Sequence, residues 1–388
     1  MSARVIAVVA ALAAVTVGLV ALPASGAPGP QEKQSFIVVL RDSVSNASPV
    51  AAEHAHRFGA DVTYVYNEAL KGYAARMAPG QLAGLQADAR VASVERDGEM
   101  TATATTQSGA TWGLDRIDQH TLPLSGTFTY TSTGTAVKAY VIDTGIRTTH
   151  SQFAGRAING ADTVDGSLPA ADCNGHGTHV AGTIGGSAYG VAKNVTLVAV
   201  RVLDCNGSGS VSGVIAGINW VTADHQAGQP AVANMSLGGS GSTALDTAVR
   251  NSIADGVSYA VAAGNGNPGG IAQDACKSSP ARVGEAMTVG ATSSNDAKAS
   301  WSNYGTCVDW FAPGVGITSA WNSSDTATNT ISGTSMATPH TTGVAALYLQ
   351  NNAGASPATV RNALYAKTTK GIVISSKTAN NHLLFSDY

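Results

Sequence analysis

Val137-Lys138-Ala139-Tyr140-Val141-Ile142-Asp143-Thr144-Gly145 is a short apolar run that stops on a carboxylate and a glycine turn. Four of its first six residues are β-branched or aromatic, which suits a strand buried on both faces. Comparable runs recur at residues 195–202, 231–235, 258–262 and 286–289, with helical patterns between them at 212–221 and 242–254. Such alternation predicts an α/β fold: a mostly parallel sheet with helices on both faces. In that architecture reactive groups gather beyond the carboxyl ends of the strands. Asp143 stands at one of those ends, where a buried carboxylate needs a partner.

Two further segments supply candidates for that partnership. Gly175-His176-Gly177-Thr178-His179 opens a helix after a glycine turn, and Gly333-Thr334-Ser335-Met336-Ala337-Thr338-Pro339 runs from a turn into an Ala-rich helix. The backbone N–H of Ser335 would then project from a helix N-terminus, where negative charge is favoured. A serine hydroxyl is a poor nucleophile unless a base removes its proton. Histidine serves as that base, and a buried carboxylate fixes its tautomer and stabilises the imidazolium. The serine lies outside a G-x-S-x-G elbow, which argues against an esterase of the α/β-hydrolase kind. The two histidines, three residues apart, could instead hold a metal. The chain lacks the HExxH glutamate, however, and within the helix they open no carboxylate or cysteine stands at a ligand spacing from them.

Outside this core the composition changes. Residues 28–104 carry 9 acidic and 7 basic side chains, about a fifth of that stretch; residues 105–388 carry 16 and 14, about a tenth. The first stretch reads as strand (35–41), helix (49–58), two strands within 62–77 broken near Glu68, helix (81–89) and strand (91–95). This order suits a small α+β module with two helices on one sheet face. The Thr/Ala tract at 101–106 separates the modules as an exposed linker. Ahead of both, Arg4, an apolar run at 5–22 and the small residues Ala24-Ser25-Gly26-Ala27 describe a secretory leader over residues 1–27. The run is long enough to span a bilayer, but no polybasic stop-transfer segment follows it. A net charge of −3 argues against nucleic acid or an anionic membrane surface as partner. The four cysteines, Cys173, Cys205, Cys276 and Cys307, fit an oxidising compartment; three pairings are open to them, and no CxxC pair suggests zinc.

The three reactive segments, together with Ser236-Leu237-Gly238-Gly239 and Ala263-Gly264-Asn265, resemble the signature blocks of the subtilisin-like serine proteases. Trp112-Gly113-Leu114-Asp115-Arg116-Ile117-Asp118-Gln119, the run 173–185 and Arg201-Val202-Leu203-Asp204-Cys205-Asn206-Gly207 resemble the proteinase K branch, especially its secreted bacterial, aqualysin-type members. Residues 28–104 resemble the inhibitor-type propeptide of the same family, notably in Lys71-Gly72-Tyr73-Ala74-Ala75-Arg76-Met77. The Asp, His, Ser order is the one described for subtilisin.

The resemblance implies a secreted endopeptidase, residues 105–388, preceded by a ferredoxin-like inhibitory propeptide and acting as a monomer on polypeptides. It makes Asp143, His176 and Ser335 the catalytic triad, leaves His179 structural, and assigns the oxyanion to the Asn265 amide and the Ser335 N–H. Substrate would lie extended between Ser236-Leu237-Gly238 and residues 207–211, including Gly207 and Val211. Ala262, Ala263 and Gly264 would wall a pocket preferring apolar residues before the cut bond. Bridges Cys173–Cys205 and Cys276–Cys307 are implied. So are two Ca²⁺ sites, one from Asp309 with the carbonyls of Gly284 and Ala286, the other from Asp115, Asp118 and Gln119. Self-cleavage is expected at Ala104–Thr105, with Thr101 to Ala104 first held in the cleft as product. Two departures stand out: Thr341-Thr342 replaces the family's Val-Ala, and the segment 266–275 is longer than in aqualysin.

Overall fold

The computed structural model describes residues 32–98 and 104–388; the expected leader at 1–27 and most of the product segment 101–104 lie outside them. The chain divides into two compact units, Met1–Thr101 and Ala102–Tyr388.

In the first unit the elements run β1 (Gln34–Leu40), α1 (Ala47–Phe58), β2 (Asp61–Tyr66), β3 (Gly72–Met77), α2 (Leu82–Gln86) and β4 (Val91–Arg96). The antiparallel sheet has the order β2-β3-β1-β4. Alternate residues of β1, Phe36, Val38 and Leu40, are buried in one cluster with Val50, Ala51 and Phe58 of α1 and Leu85 of α2, so both helices cover a single face. The second helix is shorter than its sequence pattern. Asp88 accepts a hydrogen bond from the Arg90 N–H (2.9 Å), and this Asx turn bends the chain toward β4.

The second unit is built on a nine-stranded sheet. Its strands are β5 (Lys138–Asp143), β6 (Ala157–Asp162), β7 (Thr196–Arg201), β8 (Ala231–Met235), β9 (Ser258–Ala262), β10 (Met287–Thr292), β11 (Trp310–Pro313), β12 (Thr369–Lys370) and β13 (His382–Leu383). The order is β12-β13-β11-β10-β9-β8-β5-β7-β6, and every pairing is parallel except β12 with β13. Ala139 and Val141 of β5 face a cluster with α3 (Trp112–Ile117), α4 (His176–Gly185) and α7 (Thr334–Asn351). Tyr140 and Ile142 face a second cluster with α5 (Val211–Asp224) and α6 (Thr243–Asp255). Helices therefore cover both faces, as the alternation predicts. The chain leaves β5 toward β7 and β6, then returns to β8 on β5's other side. That reversal opens a crevice at the carboxyl ends of β5 and β8.

Four strands of this sheet escape the sequence reading: β6, β11 and the two-residue β12 and β13. Asn159-Gly160 looks like a turn yet sits inside β6, where the register shifts between Asn159 and Ala161; a β-carbon on Gly160 would lie 2.8 Å from the Trp220 ring. The four residues of β11 are wholly buried and end on Pro313, too short a run to separate from a loop.

Candidate active site

Asp143, the last residue of β5, is fully buried. Its Oδ1 accepts from the Thr144 N–H and from His176 Nδ1, both at 2.7 Å, while Oδ2 has no protein partner. His176 is the first residue of α4, and both flanking glycines are sterically required. Gly175 has φ of 112° with a β-carbon position 2.4 Å from the Trp321 ring, and a β-carbon on Gly177 would meet the Gly145 carbonyl oxygen at 2.1 Å. Asp172 anchors this turn. It accepts from the N–H groups of Asn174, Gly175 and Thr178 and from the hydroxyls of Thr144 and Thr178, at 2.6–2.9 Å. The His176 side chain is 25 % exposed. Removal from water works against its charged form, but the Asp143 charge and hydrogen bond outweigh that effect, with a smaller contribution from Asp172, so its pKa is raised.

His179, one turn on, is different. It is fully buried, donates from Nε2 to the Ile317 carbonyl (3.0 Å), and burial pushes its pKa down to about 4. It is a neutral packing residue. No group of three or more His, Cys, Asp or Glu side chains converges on a metal position among the described residues.

Ser335 lies in the first turn of α7. Its hydroxyl donates to the Ser236 carbonyl (3.0 Å), and no hydrogen bond joins it to His176. The Ser236 hydroxyl in turn donates to the Ser335 carbonyl (2.8 Å), fastening α7 to the end of β8. Asn265, just beyond β9, accepts at Oδ1 from the Thr334 N–H (2.8 Å) and hydroxyl (2.9 Å). With Oδ1 so occupied, its Nδ2 remains a donor without a protein acceptor. A β-carbon placed on Gly333 would stand 3.5 Å from both Asn265 Nδ2 and Ser335 N, so these two nitrogens border the same space.

Two adjoining cavities meet here. One of about 560 Å³ is lined by His176, Gly207, Val211 and Ser236. The other, of about 370 Å³, is lined by Ala262, Ala263, Gly264, Asn265 and Ser335. Leu237, Gly238, Gly239 and Ser240 wall both. Every residue expected at the cleft thus borders one of them, apart from Ser210 and from buried Asp143 behind His176. Asn303 escaped the sequence reading. Its Nδ2 donates to the Ala263 carbonyl (2.8 Å) and its Oδ1 accepts from the Gly266 and Gln273 N–H groups (3.1 and 2.8 Å), closing both ends of the segment after Asn265.

Disulfides join Cys173 to Cys205 and Cys276 to Cys307, settling the three-way choice. Each closes a loop of about thirty residues, worth roughly 3–4 kcal/mol on the chain-entropy model. The first ties the turn before His176 to the wall at Gly207; the second ties the segment before Lys277 to that before Asp309.

The two expected calcium positions differ. Asp115 spends both oxygens on the Ser125 N–H and hydroxyl (3.0 and 2.9 Å) and the Gly126 N–H (2.6 Å). Its neighbour Asp118 accepts from the Thr129 N–H (2.7 Å), but its buried Oδ1 has no protein partner. Burial, with Asp115 nearby, pushes the Asp118 pKa up to about 6. Gln119 Oε1 accepts from the Ser125 N–H (3.2 Å). At the other position Asp309 accepts from the Thr288 N–H (2.8 Å) and meets the Arg361 guanidinium, beside the 284–286 turn that leads into β10.

The subtilase family model matches residues 134–385, and the peptidase inhibitor I9 model matches residues 35–103. The chain belongs to the subtilase family of serine peptidases and carries an I9 inhibitor domain at its N-terminal end. It is 59 % identical over 331 residues to an extracellular serine proteinase of Thermus sp. (strain Rt41A), covering 85 % of this chain and 79 % of that protein. It is 52 % identical over 334 residues to an alkaline serine exoprotease A of Vibrio alginolyticus, covering 85 % of this chain and 61 % of that one. A solved cold-adapted subtilisin-like serine proteinase is 54 % identical, with a TM-score of 0.69, and covers 72 % of this chain and 99 % of that chain.

Proposed function

We propose that the chain is a secreted endopeptidase of broad specificity that works through an acyl-enzyme and frees itself from its own precursor. The observation that carries this is the pairing of a hydrogen bond from His176 to buried Asp143 with two unspent donors, Asn265 Nδ2 and the Ser335 N–H, across one cleft. Ser335 Oγ leaves Ser236, gives its proton to His176 Nε2 and bonds to the substrate carbonyl carbon. The carbonyl oxygen takes up negative charge between Asn265 Nδ2 and the Ser335 N–H. Asp143 holds the Nδ1–H tautomer and stabilises the imidazolium. His176 then protonates the departing amine, and water, activated by the same imidazole, hydrolyses the ester. Residues 236–238 and 207–211 hold the polypeptide as an added strand.

The export of the Thermus relative, two disulfides and the leader-like residues 1–27 support an extracellular site of action. The I9 match supports residues 28–104 as an intramolecular inhibitor, with self-cleavage at Ala104–Thr105. For structural calcium, the residues at Asp115, Asp118 and Gln119 fit the ion best. The buried Asp118 Oδ1, a hard oxygen ligand, is engaged by no protein group. At Asp309 the ion would have to displace Arg361.

Mass spectrometry of the secreted wild type and its Ser335→Ala variant, each incubated with casein and a sulfonyl fluoride, tests the reading. Wild type should begin near Thr105, cut casein internally and gain one adduct on Ser335, while the variant stays uncut and inert. Equal processing of both forms with casein intact would overturn it.

A further inference from the structure

The cavity beside Ser335 is lined by one charged residue. Of the residues lining it, Lys277 alone is ionic, and no aromatic side chain closes it; its remaining walls are glycines, alanines, one leucine and amide or hydroxyl side chains. Lys277 is exposed, and its ammonium has no hydrogen-bond or ion-pair partner among the described residues. Asp274, three residues before it, accepts from the Cys276 N–H (3.0 Å) and makes no ion pair with Lys277; Asp246 pairs with Arg282 (2.6 Å) and Glu285 with Arg250 (3.2 Å). Lys138, by contrast, is paired with Asp224 at 3.0 Å.

The backbone around Lys277 is pinned at the cavity wall. Cys276 is bonded to Cys307, the Lys277 N–H donates to the Asp274 carbonyl (3.1 Å), and Ser278 pairs with Ser240 in a short antiparallel ladder. A cation on a fixed backbone frame at the cavity wall, with no ion-pair partner, attracts a carboxylate placed in that cavity, most strongly at low salt.

We propose that Lys277 makes this cavity accept acidic side chains, so that the enzyme cleaves after glutamate as well as after apolar residues. The inference rests on the reading above, that this cavity receives the residue preceding the cut bond. Glutamate is favoured over aspartate because it carries its carboxylate farther from the backbone.

The test uses the processed enzyme and four peptide amides that differ only in that residue: Glu, Gln, Leu or Lys. Glu should exceed its uncharged isostere Gln about tenfold in kcat/KM at low salt, and the ratio should shrink toward one near 1 M salt. Lys277→Gln should bring the ratio to about one, and Lys277→Glu should invert it and raise Lys above Gln. If the Leu peptide is cleaved but the Glu/Gln ratio is the same in wild type and both variants, the inference falls alone. If none of the four is cleaved, the endopeptidase reading falls and takes the inference with it.

Discussion

Apart from His225–Asp255, whose aspartate is exposed, each unit of this chain contains one histidine hydrogen-bonded to an aspartate, and those two pairs are opposites. In the first unit His54 is fully buried. Its Nδ1 meets the Tyr73 hydroxyl at 2.6 Å and its Nε2 meets Asp88 at 3.1 Å. Arg90 then neutralises Asp88 and reaches on to Glu53. In the second unit Asp143 has no cation beside it and keeps one oxygen unpartnered, while His176 exposes part of its ring and leaves Nε2 free of any protein partner. A saturated pair has no capacity left and serves to hold a fold. An unsaturated pair at a cleft can move a proton. Lack of a partner is not sufficient by itself: His179 Nδ1 is also unpartnered, but it is sealed inside the protein, away from any substrate.

The contrast breaks most visibly if the two aspartates are exchanged for amides. Asp143→Asn should lower kcat on a peptide amide on the order of 10⁴-fold, because the wrong tautomer is held and the imidazolium loses its counter-charge. Asp88→Asn should leave kcat of the processed enzyme within about twofold. Its effect should be faster hydrogen exchange in residues 32–98 of the Ser335→Ala precursor, from loss of a buried charged network. Similar kcat losses from both would end the distinction.

Asparagines offer the next test. Asn303 spends three hydrogen bonds on the backbone, whereas Asn265 spends only Oδ1 and keeps Nδ2 for a ligand. Asn265→Ala should cost roughly 10²–10³ in kcat with little change in KM, as expected for a donor used mainly in the transition state. A loss under twofold would remove Asn265 from the oxyanion site.

The two pairs also differ in their response to pH. Catalysis needs neutral His176, and Asp143 raises its pKa above the ordinary 6.5. Activity should therefore fall as pH drops through a value above 6.5, by about tenfold per unit below it. Asp88 is displaced the other way, since hydrogen bonds from Arg90 hold its carboxyl well below 3.8. A depressed carboxyl keeps its stabilisation above its unfolded pKa and loses it only as pH falls through the folded value. Near pH 5 the first unit should remain folded while hydrolysis is largely off. A pH–rate profile beside circular dichroism of the Ser335→Ala precursor measures both limbs.

Much of this site was legible because its chemistry sits in short contiguous blocks. Asp143, His176 and Ser335 each follow a strand end or a glycine turn, and the glycines beside His176 are fixed by contacts under 3 Å. Asp172 and Asn303 were not legible. Each works by accepting or donating to backbone groups, some of them distant in sequence, and an Asp or Asn that does so looks like any loop residue. The Thr341-Thr342 departure was visible but not its resolution. Trp310 Nε1 donates to the Thr341 hydroxyl at 2.9 Å, and Thr342 donates to Asn234 Oδ1 at 2.9 Å, so both buried hydroxyls are satisfied. The same limit explains β6 and β11, whose strand character comes from their neighbours rather than from their own periodicity.

Asp115 and Asp118 carry the comparison to its smallest expected effect, one on stability rather than rate. Asp115 is saturated by Ser125 and Gly126, while Asp118 has a spare oxygen and a pKa pushed up to about 6. Without a cation, a carboxyl raised above its unfolded value near 3.8 favours the folded state only while protonated, so stability should decline as pH climbs from about 4 to 6. Calcium at a hundred times its dissociation constant would add about 2.7 kcal/mol and cancel that decline. Chelation of the Ser335→Ala precursor should therefore lower its Tm by several degrees at pH 7 and by less at pH 5. Asp118→Asn should abolish the difference between the two pH values and most of the response to chelator. A Tm indifferent to calcium in the wild type would mean that the spare oxygen of Asp118, unlike those at the cleft, is simply left unpaired.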